Sequence, residues 1–287
     1  MSGACHDPSS VDMHSEGPWP FITLRKYYHH GRLILWRARQ HRKGLVPAER
    51  GLEVDRIPFW QTRRYNWITG LFFSIGSLLF MLGAMFSLMP RDWVATPSAF
   101  AIGVTFFLGS IPFTTAGYLQ HFQAANASEF RTNFAQDKPN QRVSFVGWHP
   151  ASPGWLSTFT QFIGTIAFNI NTFNAIRPAT GWYSQDLTIW LPGMIGSVLF
   201  LVSGYLAFIE TCHGYWAWRP WQLDWRIVFV DLLGCVFFMV AGVLAYVPKN
   251  TEPAWMPAMA NTQLWLGGLG FLVGAQLLMR ESRQAAA

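Results

Sequence analysis

Charge is scarce in this chain. Only 13% of its 287 residues are Asp, Glu, Lys or Arg, against 51% that are hydrophobic. That balance excludes a disordered chain and argues against an ordinary soluble enzyme. Cysteine is scarce too. Cys5, Cys212 and Cys235 are three in number and lack metal-type spacing, which argues against a disulfide framework or a metal cluster. Cys235 falls in an apolar run and reads as a small packed hydrophobe. The first twenty residues have no apolar stretch of the kind a cleavable signal peptide needs. Walker loop, dinucleotide fingerprint, nucleophile elbow and zinc pattern are all missing. No catalytic residue, cofactor or metal is therefore expected. What the chain has in quantity is aromatic side chains, with 15 Trp and 24 Phe.

The apolar residues are gathered into runs. A membrane-crossing helix needs about 20 mostly apolar residues, and six stretches qualify: 67–89, 98–119, 155–176, 187–209, 227–247 and 257–279. Asp231 is the one acidic or basic residue inside them. The fold expected is all-α, a polytopic membrane protein. Eighteen of the 21 Lys and Arg fall in the N-terminal tail, the second and fourth connections and the C-terminus, and 3 in the other connections. That asymmetry places both termini in the cytoplasm by the positive-inside rule.

The tail, residues 1–60, divides in two. Residues 1–18 read as disordered. Residues 20–43 carry Phe21, Leu24, Tyr28 and Leu35 near helical spacing, among Arg25, Lys26, Arg32, Arg37, Arg39, Arg42 and Lys43. This pattern suits a basic amphipathic helix on anionic lipid headgroups. Charges that merely enforce topology would look the same. Nothing but charge supports nucleic acid, and no nucleic-acid partner is expected. A homo-oligomer or a membrane-protein partner remains compatible with the sequence.

The odd-numbered spans repeat without gaps. Trp60, Trp148 and Trp218 each precede a second Trp by seven residues (Trp67, Trp155, Trp225). Nine residues on come Gly76, Gly164 and Gly234, each followed by a small residue. Four residues after each Gly stands Phe80, Phe168 or Phe238, and fourteen after it Pro90, Pro178 or Pro248, with Arg91, Arg177 or Lys249 beside it. The even-numbered spans carry a weaker copy, GSIPF from Gly109, GSVLF from Gly196 and GAQLL from Gly274. The unit is a two-helix hairpin present three times, at 60–123, 148–213 and 218–287. Its Trp residues suit a membrane interface, its Pro a helix end, and its Gly a close backbone approach. Parallel repeats relate by an axis along the membrane normal, so a pseudo-threefold ring of six helices is the simplest closed arrangement. Pro112 and Pro192 should kink or loosen the second and fourth spans.

The stretch RRYNWITGLFFSIGSLLF, with Arg63, Arg64, Tyr65, Gly76 and Ser77, resembles the opening of YrhK-like bacterial membrane domains, and LGGLGFLVGAQLLMRE, with Gly274, resembles their second helix. The resemblance covers about forty residues directly. It implies a bacterial inner-membrane protein and no activity.

Polar residues inside spans are rare and often mark function. Three residues before the repeat glycines stand Phe73, Gln161 and Asp231, so Gln161 and Asp231 share a register on an inward face. The third span is rich in polar side chains, among them Asn169, Asn171 and Asn174. Asp231 lies roughly 9 Å below the tail-side interface. An ionised Asp at the centre of a bilayer costs about 2.5–3.5 kcal/mol, and no Lys or Arg within the spans pairs with it. It either lines a polar path or bonds across helices as a packing group. A second cluster lies at the tail-side mouth: Tyr205, Glu210, Cys212 and His213, with His121 and Gln123 at comparable depth. Glu210 and His213 lie three residues apart on one helical face. A haem would use His121 with His213; a buried polar network needs no ligand. By the repeat, Gln123 matches Glu210.

Three functions are open. The first is a non-catalytic protein that organises partners or lipid. The second is a passage for a small solute or proton along the third span and Asp231. The third is a haem or metal membrane protein. A centre filled with Phe favours the first, and a polar cavity open to one side the second.

Overall fold

The structure, a computed structural model, describes residues 13–29, 32–45, 58–90, 92–127, 130, 143–249, 253 and 255–284. Cys5, Arg91 and the disorder expected over 1–12 lie outside the described residues. Six long helices dominate: α2 (Arg63–Leu88), α3 (Ala99–Ala125), α4 (Pro153–Ala175), α6 (Leu191–Cys212), α7 (Leu223–Leu244) and α8 (Trp255–Gln284). Hydroxyls mark three of their starts. Thr62, Ser98 and Ser152 each accept the backbone N–H three residues on, at 3.2–3.3 Å, which satisfies an amide with no partner inside the helix. Pro90, Pro178 and Pro248 stand just past the ends of α2, α4 and α7.

Each long helix packs on the next, and α8 returns to α2, so the six form a closed ring. Among the described residues five helices are long and apolar enough to cross a membrane: α2, α3, a composite over Trp182–Cys212, α7 and α8. The helix α4 falls short of that standard because its Thr, Asn and Gln residues dilute the apolar ones. The composite helix begins with α5 (Trp182–Gln185), passes through a π-helical stretch (Asp186–Trp190) and becomes regular only at α6. Pro192 sits at that junction, where its missing N–H and its ring disturb the hydrogen-bond ladder. Across Pro112, by contrast, α3 continues unbroken.

Glycines govern the packing within each hairpin. A Cβ at Gly76 would meet Gly109 O and Phe113; one at Gly164, Gly196 O and Phe200; one at Gly234, Gly267 O and Phe271. Close backbone approach drives helix association where surrounding lipid removes the hydrophobic incentive. The third hairpin therefore uses Gly267–Phe271, which corrects the register read from Gly274. GGLGFLVG offers several glycines, and sequence alone did not choose among them.

Beside these crossings the phenyl rings fill the axis. Phe113, Phe200 and Phe271 meet one another at centroid separations of 5.5–6.4 Å. Phe238 touches Phe80 and Phe168 at 6.0 and 5.7 Å. A gap of only about 10 Å³ remains among them, at most one water's worth.

The tail is not the helix expected over 20–43. It forms an antiparallel sheet in the order β1 (Met13–Glu16), β2 (Leu24–His29), β3 (Arg32–Arg37), followed by the short helix α1 (Ala38–Lys43). The strand stretches LRKYYH and RLILWR carry the aromatic and branched residues that suit a pleated surface, and Gly31 between them disfavours one continuous helix. Residues 13–16, expected to be disordered, are its first strand.

Candidate functional site

The tail enters the mouth of the ring. Helix α1 presents three cations to it, and two glutamates at the ends of even-numbered helices receive them. Arg42 donates through both terminal nitrogens to Glu210, at 2.7 and 3.0 Å. Arg39 pairs in the same forked manner with Glu281, and Lys43 Nζ donates to Glu281 Oε2 at 3.2 Å. Glu210 is 1% exposed, Arg39 5% and Lys43 6%. Forked guanidinium–carboxylate bonds are among the strongest polar contacts available. Gly154 leaves room for one of them, since a Cβ there would overlap the Arg42 guanidinium and Glu210 Oε1. Burial, with the Arg39 cation beside it, brings the Lys43 ammonium down to about 8.

Hairpin one completes the mouth without a charge. Gln123 Nε2 donates to Trp60 O and, at 3.1 Å, to Asn66 Oδ1, while Asn66 Nδ2 donates to Lys43 O at 3.0 Å. Gln123, Glu210 and Glu281 each lie fourteen residues past the crossing glycine of their helix (Gly109, Gly196, Gly267). Glu281 was missed by sequence reasoning because the register had been set on Gly274; counting from Gly267 would have found it.

Of the seven basic residues expected on lipid, three are used differently. Arg39, Arg42 and Lys43 are consumed inside the mouth. Lys26 pairs with Glu16 at 2.5 Å. The Arg25 guanidinium lies 4.5 Å from the Phe130 ring centre, a cation–π distance. Arg37 is half-buried, and the side chain of Arg32 lies outside the described residues. The physical reason is that buried carboxylates demand cations, and the tail is where cations are.

Beneath α1 lies a cavity of about 80 Å³, lined among others by Lys43, Gln161, Ser203, Asp231 and Gly274 and floored by Phe73, Phe200 and Phe271. It is large enough for several waters. From Phe200 to Glu210 it runs about 15 Å along α6. The shared register of Gln161 and Asp231 therefore corresponds to a shared wall. Asp231 Oδ1 rests over Gly274, where a Cβ would overlap it. Among the described residues the Asp231 carboxylate has no hydrogen-bond partner, and the cations whose field reaches it are Lys43 and then Arg39. A span thus lacks its own cation for Asp231, but the tail supplies two.

The remaining candidates separate from this site. Asn169 Nδ2 donates to Thr114 Oγ1 at 2.9 Å, tying α4 to α3. Asn171 and Asn174 donate to Ile189 O and Thr188 O, both at 2.7 Å. Both carbonyls belong to the π-helical stretch Asp186–Trp190, so these two asparagines tie the end of α4 to it. His121 is fully buried among Trp155, Phe159 and Phe162, with Nδ1 3.3 Å from Thr158 Oγ1. His213 sits at the rim, its Nδ1 3.0 Å from Thr23 Oγ1 of the tail. Tyr205 is exposed and donates to Tyr215 O. The two histidines thus occupy different surroundings. Among the described residues no three His, Cys, Asp or Glu side chains come together as metal ligands.

In the second and third Trp pairs the later Trp turns inward. Trp155 and Trp225 are buried and donate to Val146 O and Ala217 O at 3.0 and 2.8 Å. They staple the preceding connection to the helix start. Trp148 and Trp218 stay exposed against them.

No protein-family model, curated protein or solved structure matches the chain.

Proposed function

We propose that this chain is a non-conducting protein of the bacterial inner membrane whose six long helices, α4 included, all cross the bilayer as three hairpins about a pseudo-threefold axis, with both termini cytoplasmic, and that it organises lipid or membrane-protein partners. The observation that carries the reading is the phenyl layer, which leaves about 10 Å³ on the axis. A conducting path needs a wet or polar centre, and six packed rings supply neither. The recurrent Gly–Gly crossings support the repeat, and the exposed Trp148, Trp216, Trp218 and Trp221 on the tail side suit a headgroup boundary. The YrhK-like stretches agree with a bacterial membrane origin.

Reconstitution in liposomes tests this. Proton and small-solute flux should equal that of empty vesicles, and single cysteines placed in the tail and in the 213–222 connection should be labelled from the same face. Flux above background would overturn the reading in favour of a second one, a passage for a proton or small solute. That alternative rests on the polar cavity and on Asp231.

A further inference from the structure

We infer that residues 38–45 are a plug, held by ion pairs and separable from the ring, which closes the Asp231 cavity on the tail side. Three observations carry this. The plug is polar in its attachments: within ARQHRK only Ala38 is apolar, Gly44 and Leu45 following it, and the bonds that fasten it run from Arg42 to Glu210 and from Arg39 and Lys43 to Glu281. It touches all three hairpins, the first through Asn66 and Gln61, which donate to Lys43 O and His41 O at 3.0 and 3.4 Å. Behind it lies a cavity that is already formed, with a carboxylate that has no hydrogen-bond partner among the described residues. A segment needed only to glue the hairpins together would be expected to fill the space it covers with apolar side chains. Here the space is left open and polar, and the cover is fastened at its edge.

The phenyl rings close the other end of the same cavity, so access to Asp231 runs through the plug. The inference concerns this access alone and holds whether or not anything crosses the phenyl layer. A plug fastened by charge opens when one partner of a pair loses its charge, because the remaining buried ion then favours water.

Cys235 is a built-in reporter, since it is buried and lines the cavity. In full-length protein with Cys5 and Cys212 changed to Ala, we would measure the rate at which a small charged methanethiosulfonate modifies Cys235, alongside tryptic cleavage at Arg39, Arg42 and Lys43. The unaltered plug should give slow modification and no cleavage at these sites. Glu281→Gln, which unfastens two cations at once, should raise the modification rate at least tenfold and expose the cleavage sites, with the protein still monodisperse. Glu210→Gln serves if that variant does not fold. Fast modification with the plug intact would overturn the inference, since the cavity would then be open without it. So would a variant in which the plug is cut and Cys235 stays protected, or one in which neither signal changes.

Discussion

Glu281 and Arg39 stand 242 residues apart in sequence and form a buried, forked ion pair at the mouth of the ring. Glu281 also takes Lys43, so one carboxylate on the last helix anchors two cations of the tail. Removing one side of such a pair strands the other, which costs about 3–5 kcal/mol. Glu281→Gln should therefore lower the thermal midpoint of the detergent-purified protein well below that of a surface change such as Arg283→Gln. The triple variant Arg39→Met, Lys43→Met and Glu281→Leu should recover most of the loss, because neither of the cations that Glu281 anchors is then left buried without its partner.

Asp231 gives the opposite expectation. Its carboxylate gains no hydrogen bond from any described residue, so Asp231→Asn, which removes a charge from a buried site, should leave stability about equal to wild type or raise it. Gly274→Ala at the adjoining wall should destabilise, because the added carbon would overlap Asp231 Oδ1. Thermal unfolding at several pH values separates the two. A large loss in Asp231→Asn would show that the acid is a packing residue.

The axis can be probed at Gly267. A Cβ there would run into the Phe238 ring, and overpacking of this kind costs about 1–3 kcal/mol. Gly267→Ala should lower stability, and adding Phe238→Leu should return part of it by freeing space. If the two changes are strictly additive in unfolding experiments, the Gly–Phe contact is not the source of the loss.

The rim should respond to acid. Burial, and after it the Arg37 and Arg219 cations, hold the His213 imidazole below its ordinary 6.5, against a smaller opposite pull from Glu210 and Asp224. A detached or unfolded tail would leave His213 to take its proton near 6.5, while the docked state resists it. Docking is therefore fully present above pH 6.5 and weakens as pH falls below it. Tail proteolysis should be faster at pH 5.5 than at pH 7.5, after correction for protease activity. His213→Gln should flatten that difference.

Much of the ring was legible in the residues. Gly76, Gly164 and Gly234 announce the crossings, since only a missing Cβ lets two backbones meet. The Phe four residues on announces what fills the space beside them. The common register of Gln161 and Asp231 pointed to one wall of the cavity. The roles of Asn171 and Asn174 were not legible, because they bond carbonyls of a π-helical stretch on a neighbouring helix, and Pro192 announces a loosened helix there without announcing which side chains meet it. The tail misled because its basic residues at near-helical spacing also satisfy two short strands and a helix of six residues.

By itself the sequence determined the apolar helices, their approximate ends and the hairpin signature. Those depend on side-chain transfer energies and on spacing along one helix. Only the tertiary structure decided what the tail is for. Arg39, Arg42 and Lys43 read as lipid-facing until Glu210 and Glu281 are seen to stand where they can receive them. Pairing across some 170 to 240 residues leaves no local pattern, and it follows from a buried carboxylate's need for a cation once the ring has closed around it.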